Sequence, residues 1–389
     1  MVHILPVSRR AFVFGGCAIS LAASTGTSWA QGGRAGGRKL VVVILRGAMD
    51  GLAALPKIDD PNISQHRAAL VDPSAVKLDD GFALHSAMPG LAALYRDKQA
   101  AFIPAAAGPY RERSHFEAQD LLECGGVARV SADGWLNRAL QKAPRMCSAV
   151  SIGPATPLIL RGAATQVTSW SPPVLPAASD DTLARLMALY EGDAQLHAAL
   201  AAAVGADRVA SDMAGKGGAR GGPAQYAPLM AAAGRFLAAP DAPDIAVVSL
   251  EGWDTHAGQN AALKQRFEAL DAGMTALREA MGETWASTAV VAVSEFGRTV
   301  RVNGAGGTDH GTGGLAILAG GAVKGGRILG DWPGLAPAAL FEDRDLKPTT
   351  DVRAVFKGLL RDHLGWDARD LHATVFADSA AATPLSGLV

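Results

Sequence analysis

Apolar residues fall into two kinds of pattern along this chain. Short unbroken runs come first: Leu40 to Leu45 reads LVVVIL, a β-branched run of the kind that fills a strand buried on both faces. Further runs at Ala100–Ala106, Ile245–Leu250, Thr288–Ser294 and Leu315–Ala319 predict four more strands. Helical periodicity lies between them. From Gln259 to Met281 the residues Leu263, Phe267, Leu270, Met274, Leu277 and Met281 recur three and four apart, forming one stripe that packs on a sheet. Asp180–Val204 and Pro228–Ala238 are also predicted helical, joined by a Gly-rich connector. Strands alternating with helices predict an α/β fold: a central, mostly parallel sheet with helices on both faces. The segment at about 178–240 reads as a helical insertion in one domain spanning 39–389, with no independent second core and no internal repeats.

Composition adds exclusions. With 49% hydrophobic and 19% charged residues the chain is neither disordered nor fibrous. Lys plus Arg is 36 against 37 Asp plus Glu, a balance that argues against a nucleic-acid binder.

The first thirty residues read as an address. Ser8-Arg9-Arg10-Ala11-Phe12-Val13 is a twin-arginine pattern, an apolar stretch follows from Phe14 to about Ala23, and Ser28-Trp29-Ala30 offers small residues for cleavage. Residues 1–30 are therefore expected to be a signal peptide, 31–38 a linker, and the mature chain periplasmic or secreted, with the twin-arginine export machinery as a partner. The apolar stretch is shorter than the ~20 residues of a membrane span, so no stable span is expected after cleavage. Cys124 and Cys147 remain; an oxidising compartment permits a disulfide, and two buried thiols are the alternative.

In an open α/β sheet, ligands bind beyond the carboxyl ends of the strands. Arg46-Gly47-Ala48-Met49-Asp50 follows the first predicted strand, and Glu251-Gly252-Trp253-Asp254-Thr255-His256 the third. Glu295-Phe296-Gly297-Arg298 ends the fourth, and Thr308-Asp309-His310 stands just before the fifth. Carboxylates and imidazoles from several loops are the ligand chemistry of zinc, manganese or iron. Taken singly, each segment reads equally as a turn, a helix cap or an ion pair. Between the first two lies Tyr110-Arg111-Glu112-Arg113-Ser114-His115-Phe116-Glu117. Ser114 suits a nucleophile with His115 beside it, and Arg111 or Arg113 suits an anion. Ser114 with Glu117 three residues later is also a capping box. His66, His85, His197, His363 and His372 are scattered and read as ordinary packed or surface residues.

LVVVILRGAMDGL, PYRERSHFEAQDLLECG, GWLNRAL, LEGWDTHAGQ, VSEFGRTVRVNGAGGTDHGTGG and GGRILGDWPGL, spanning roughly 39 to 334, together resemble the DUF1501 family. That family is in turn similar to the alkaline phosphatase/sulfatase superfamily. The resemblance implies an alkaline-phosphatase-like sheet, Asp50 as a metal ligand, and Ser114 as nucleophile. It also implies Asp254 and His256 as the ligands after a central strand, and His310 as the last ligand. SEFG would stand for the superfamily's Asp-His-Gly, with Glu295 in place of Asp and Phe296 in place of His. One of two expected metals is then weakly held or missing, with His115 or Asp309 compensating. The sulfatase Cys motif is absent, since Cys124 precedes Gly125-Gly126.

Together these readings imply an exported hydrolase of phosphate or related anionic esters. It would use one or two divalent ions (zinc, manganese or calcium), a Ser114 nucleophile, and Arg111, Arg113 or Arg298 on a small anionic ester. A non-catalytic metal-binding or scaffold protein of the cell envelope is the alternative. Isomerase or transferase chemistry on a phosphorylated substrate is a third.

Overall fold

The computed structural model describes residues 37–127, 130–172, 180–190, 192–193, 196–198, 200–201, 204 and 222–389. The segment expected to be a signal peptide, most of the expected linker and most of the Gly-rich connector lie outside the described residues. Eleven strands occur in chain order: β1 Lys39–Arg46, β2 Val76–Lys77, β3 Ala83–Leu84, β4 Ala100–Ala107, β5 Ala149–Ile152, β6 Val167–Trp170, β7 Ile245–Glu251, β8 Thr288–Val293, β9 Gly314–Ala319, β10 Arg327–Ile328 and β11 Thr350–Asp351. Nine of them form one sheet in the order β10-β4-β9-β8-β1-β7-β5-β6, with β11 also paired to β4; β2 and β3 make a separate ribbon.

β1 sits in the middle, parallel to β7 on one side and to β8 on the other. Its side chains alternate between two cores, as a period of two requires. Val41, Val43 and Leu45 join the core under the helices Pro89–Arg96, Tyr226–Ala238 and Gln259–Met281. Leu40, Val42 and Ile44 join the core under Trp135–Gln141 and Val352–Gly358. Both faces are covered, which accounts for the unbroken apolar runs. The helix Gln259–Met281 has its predicted bounds, and Gly234 lets Tyr226–Ala238 pack closely against it, since a Cβ there would meet Ala280 and the Leu277 carbonyl.

Three features differ from expectation. The predicted helix Asp180–Val204 is interrupted: its first part ends at Leu189, a turn follows where the Asp193 N–H donates to the Tyr190 carbonyl, and residues 196–198, 200–201 and 204 are helical again. β5 and β6 were not anticipated: each has four residues, and the outer one is largely half-exposed. β9 runs antiparallel to both of its neighbours, β4 and β8. That reversal matters most, because the start of β9 then lies at the edge where β1, β4, β7 and β8 end. Pro104 sits in β4 beside a register shift at which Ala105 takes a left-handed φ of 52°, so its missing N–H falls at an irregularity. Among the described residues no helix is long and apolar enough to cross a membrane.

Candidate metal centre

Loops after β1, β4, β7 and β8 and the segment before β9 meet at this edge. Close backbone approaches bring them together. A Cβ on Gly47, which holds a φ of +112°, would lie 2.5 Å from the Asp254 nitrogen. The segments around Arg298 and His310 pair through Gly297 N–H to Thr312 O (3.0 Å) and Gly311 N–H to Gly297 O (2.8 Å). Gly311 permits this, since a Cβ would lie 2.4 Å from the Arg298 carbonyl carbon.

Four predicted ligands point at one another. His115 Nε2 is 3.0 Å from His310 Nε2 and 3.4 Å from Asp254 Oδ1. His310 Nε2 is 3.3 Å from Asp254 Oδ1. His256 Nε2 is 2.9 Å from Asp254 Oδ1 and 3.0 Å from His310 Nε2. Donor atoms about 2.0–2.1 Å from a zinc ion at tetrahedral angles stand about 3.3 Å apart, close to these separations. His115, Asp254 and His310 form a group able to hold an ion, with side chains 21–43% exposed and hence open to solvent.

The chemistry of the donors fits a cation. The Glu295 carboxylate, 2.7 Å away, and the Arg113 carbonyl, 2.9 Å away, have no proton to give. Each must accept from the Nδ1–H of its histidine, His115 and His310 respectively. With both rings neutral, both Nε2 atoms are then left as lone pairs facing each other and the Asp254 oxygen, an arrangement that a cation between them relieves. Such outer partners also fix a ligating ring. Phe296 stacks on His115 with ring centroids 4.9 Å apart and lies 5.2 Å from His310, backing both rings.

Charges around the cluster agree. The hydrogen bond to Glu295 holds the His115 pKa above the usual histidine value, against the opposing effect of burial. Burial lowers that of His310. Burial works to raise the Asp254 carboxyl, but the Arg298 hydrogen bond and the charges of Arg298, His256 and His115 outweigh it and bring it down to about 2. Asp254 therefore contributes stability that is present above the ordinary carboxylate range and lost as pH falls toward that value. An ion must displace the proton from His115, so its affinity is expected to fall as pH drops below the raised His115 pKa. Titration calorimetry in buffers of different ionisation enthalpy reads that proton directly.

Glu295 is engaged behind His115. Oε1 accepts from His115, from the Gly47 N–H (2.8 Å) and from Gln119 Nε2 (3.0 Å), and Oε2 from the Ser294 hydroxyl (2.9 Å). Burial would raise its pKa, and these bonds hold it below the ordinary value. It is the carboxylate behind His115. Glu295→Gln is expected to weaken ion binding about 10- to 100-fold while leaving the first set of ligands in place, read by competition with a chelator.

Asp50 is engaged elsewhere. It is 1% exposed, caps the helix Gly51–Ala54 through the Ala53 N–H, and is ion-paired with fully buried Arg67, with Gln259 Nε2 donating to the same oxygen. Asp309 stands outside the cluster, its Oδ1 3.6 Å from His256 Nδ1. The predicted anion-binding arginines are all engaged. Arg298 is buried and donates to the carbonyls of Gly47, Ala48, Trp253 and Thr308 as well as to Asp254. Arg111 donates to the carbonyls of Gly108 and Tyr110. Arg113 pairs with Asp345 and Glu342.

Ser114 occupies the N-cap position of the helix His115–Cys124, yet its side chain makes no capping hydrogen bond. Glu117 bonds the Tyr110 hydroxyl instead, so the capping box does not form. Cys124 and Cys147 are buried thiols, and burial pushes that of Cys147 up. His85 lies in the core, accepting from the Ala87 N–H and packed on Phe267. Sequence reasoning missed Gln119 and Arg67. Gln119, one turn after His115 on the same helix, was within reach of a spacing argument; Arg67 was not.

The sequence matches the profile of the family described as "Protein of unknown function (DUF1501)" over residues 45–375. No curated protein matches it. Among solved structures, it is similar to the phosphonate monoester hydrolase of Agrobacterium radiobacter at 12% identity, over 85% of this chain and 74% of that one, with a TM-score of 0.40. It is also similar to the C-terminal periplasmic domain of EcEptC from Escherichia coli in complex with Zn (12% identity, 89% of each chain, TM-score 0.39). A third is alkaline phosphatase from the Antarctic bacterium TAB5 (11% identity, 74% of this chain and 92% of that one, TM-score 0.34).

Proposed function

The chain belongs to the DUF1501 family, and from that premise we propose an exported, metal-dependent hydrolase of phosphate or related anionic esters, working with one divalent ion. The observation that carries this reading is the convergence of the His115 and His310 Nε2 atoms and one Asp254 oxygen, 3.0–3.4 Å apart, with His256 Nε2 beside Asp254 and His310 at 2.9 and 3.0 Å, and with the Nδ1 atoms of His115 and His310 engaged by the partners behind them. Three nitrogens and one oxygen suit zinc or another nitrogen-preferring ion; calcium prefers six to eight oxygens. Glu295 and Phe296, which stand where ligands of a second ion are expected, are engaged in a hydrogen-bond network and ring packing, and the predicted ligand Asp50 is engaged in an ion pair, which favours a single ion.

An ion held there supplies Lewis acidity to an ester oxygen and lowers the pKa of a nearby hydroxyl or water. Ser114 is the proposed nucleophile. It lies between Arg113, whose carbonyl holds His310, and the ligand His115, and its hydroxyl is not spent on capping. The start of a ten-residue helix favours the negative charge of the ester there. Arg298 positions Asp254, and Arg113 positions His310; neither side chain is available as a clamp on the anion. The twin-arginine segment supports periplasmic export.

Ser114→Ala is expected to lower turnover of a responsive ester at least ~1000-fold while metal content stays unchanged. A panel of a phosphate monoester, a phosphate diester and a sulfate ester tests this, and undiminished turnover would refute the nucleophile. One observation favours a second reading, a non-catalytic metal-binding or scaffold protein of the cell envelope: His256 beside the His115, Asp254 and His310 group offers a fourth protein donor, and four such donors would saturate a tetrahedral ion, as in structural sites. A fully metallated protein inert toward the whole panel would support it.

A further inference from the structure

Resting on the metal site proposed above, we infer that His256 is an exchangeable ligand, whose ring yields its place on the ion to an oxygen of the ester. The four donors do not stand alike. The His115 ring is fixed at Nδ1 by Glu295 at 2.7 Å and backed by Phe296, and its side chain is 21% exposed. The His310 ring is fixed at Nδ1 by the Arg113 carbonyl at 2.9 Å, also lies against Phe296, and is 25% exposed. The His256 side chain is 44% exposed. Its Nδ1 faces only the exposed Asp309 carboxylate at 3.6 Å, beyond hydrogen-bond reach. Among the described residues its one aromatic neighbour is His310 itself.

The backbone of His256 is held while its ring is not. The carbonyl accepts from Asn303 Nδ2 at 3.0 Å, and Gly307 lies so close beneath it that a Cβ there would come within 2.3 Å of the oxygen. The neighbouring Gly258 N–H donates to the Ala305 carbonyl. Rotation about the side-chain bonds into solvent is therefore the motion available, with no loop movement. A ring whose second nitrogen has only a carboxylate beyond hydrogen-bond length is also the weaker ligand, because outer hydrogen bonds are worth about 10- to 100-fold in affinity. A catalytic ion needs a position for substrate, which four fixed donors would deny it. Release of His256 supplies that position, and its return closes the site between turnovers. The ester's oxygen replaces one neutral imidazole nitrogen, so no proton or electron changes hands in the exchange.

The test uses zinc, cobalt(II) and inorganic phosphate with the intact mature chain. His256→Ala and His256→Gln are expected to keep one equivalent of zinc with affinity reduced no more than ~10-fold, whereas His310→Ala loses at least ~100-fold. Phosphate is expected to bind the cobalt form of His256→Ala several-fold more tightly than the wild type, because ligand must otherwise wait for the open fraction. In the zinc-loaded wild type, phosphate is expected to move the His256 ring nitrogens from metal-bound to free positions by NMR while His115 and His310 stay bound. Loss of zinc from both His256 variants to the extent seen in His310→Ala would overturn the exchange, as would phosphate that leaves the His256 ring bound or fails to bind either form. A wild type that takes up no ion would instead overturn the metal site on which the inference rests.

Discussion

Asp254→Ala is expected to abolish stoichiometric ion binding, lowering affinity well beyond the roughly 10- to 100-fold that follows loss of an outer-shell partner. Its Oδ1 is the atom common to the cluster, 2.9–3.4 Å from all three imidazole nitrogens, and it supplies the site's negative charge. Without it, three neutral rings face one another and the cation has no counter-charge. The fold should survive. Arg298 loses one partner but keeps the carbonyls of Gly47, Ala48, Trp253 and Thr308, so the stability loss is expected near the ~1.5–3 kcal/mol of one charged hydrogen bond. Competition with a chelator gives the affinity and chemical denaturation the stability. A variant that holds the ion as tightly as the wild type would remove Asp254 from the ligand set.

Asp50→Ala is expected to do the reverse, costing stability and sparing the ion. Asp50 and Arg67 are 1% and 0% exposed, and removing one partner of such a pair costs about 3–5 kcal/mol because the other charge is left buried. Loss of the cap on the helix Gly51–Ala54 adds to this. Arg67 retains the carbonyls of Thr299 and Val300, which places the effect toward the lower end. Pairing Asp50→Leu with Arg67→Met should recover much of the loss. Zinc content of the folded fraction should remain one equivalent. A protein of normal stability with reduced zinc would restore Asp50 as a ligand.

The five long strands were legible because each is buried on both faces and carries an unbroken apolar run. β5 and β6 were not: AVSI and VTSW are four residues each, and three residues of β6 are not fully buried, so neither shows a run or a clean alternation. The direction of β9 was equally hidden, since apolar content is the same whichever way a strand runs. Yet that direction is what brings Asp309-His310 to the edge where the other loops end. Four of the seven predicted ligands, His115, Asp254, His256 and His310, do converge. Residue type signalled them, but it could not separate a ligand from the partner behind a ligand. Glu295 and Asp50 differ from Asp254 through Gly47, Gln119, Ser294, Arg67 and Gln259, partners brought close only by the fold. The engagement of Arg113 and Arg298 was hidden for the same reason, their acceptors lying on loops distant in sequence. Phe296, read as a missing ligand, packs against two ligand rings.

The proposed function requires one ion in one place, and the most direct measurement is elemental analysis of the protein produced in a native host. One equivalent of zinc or a similar transition ion per chain, lost in His310→Ala, is the predicted result. A chain that contains no metal and takes up none on incubation with each ion in turn would contradict the account.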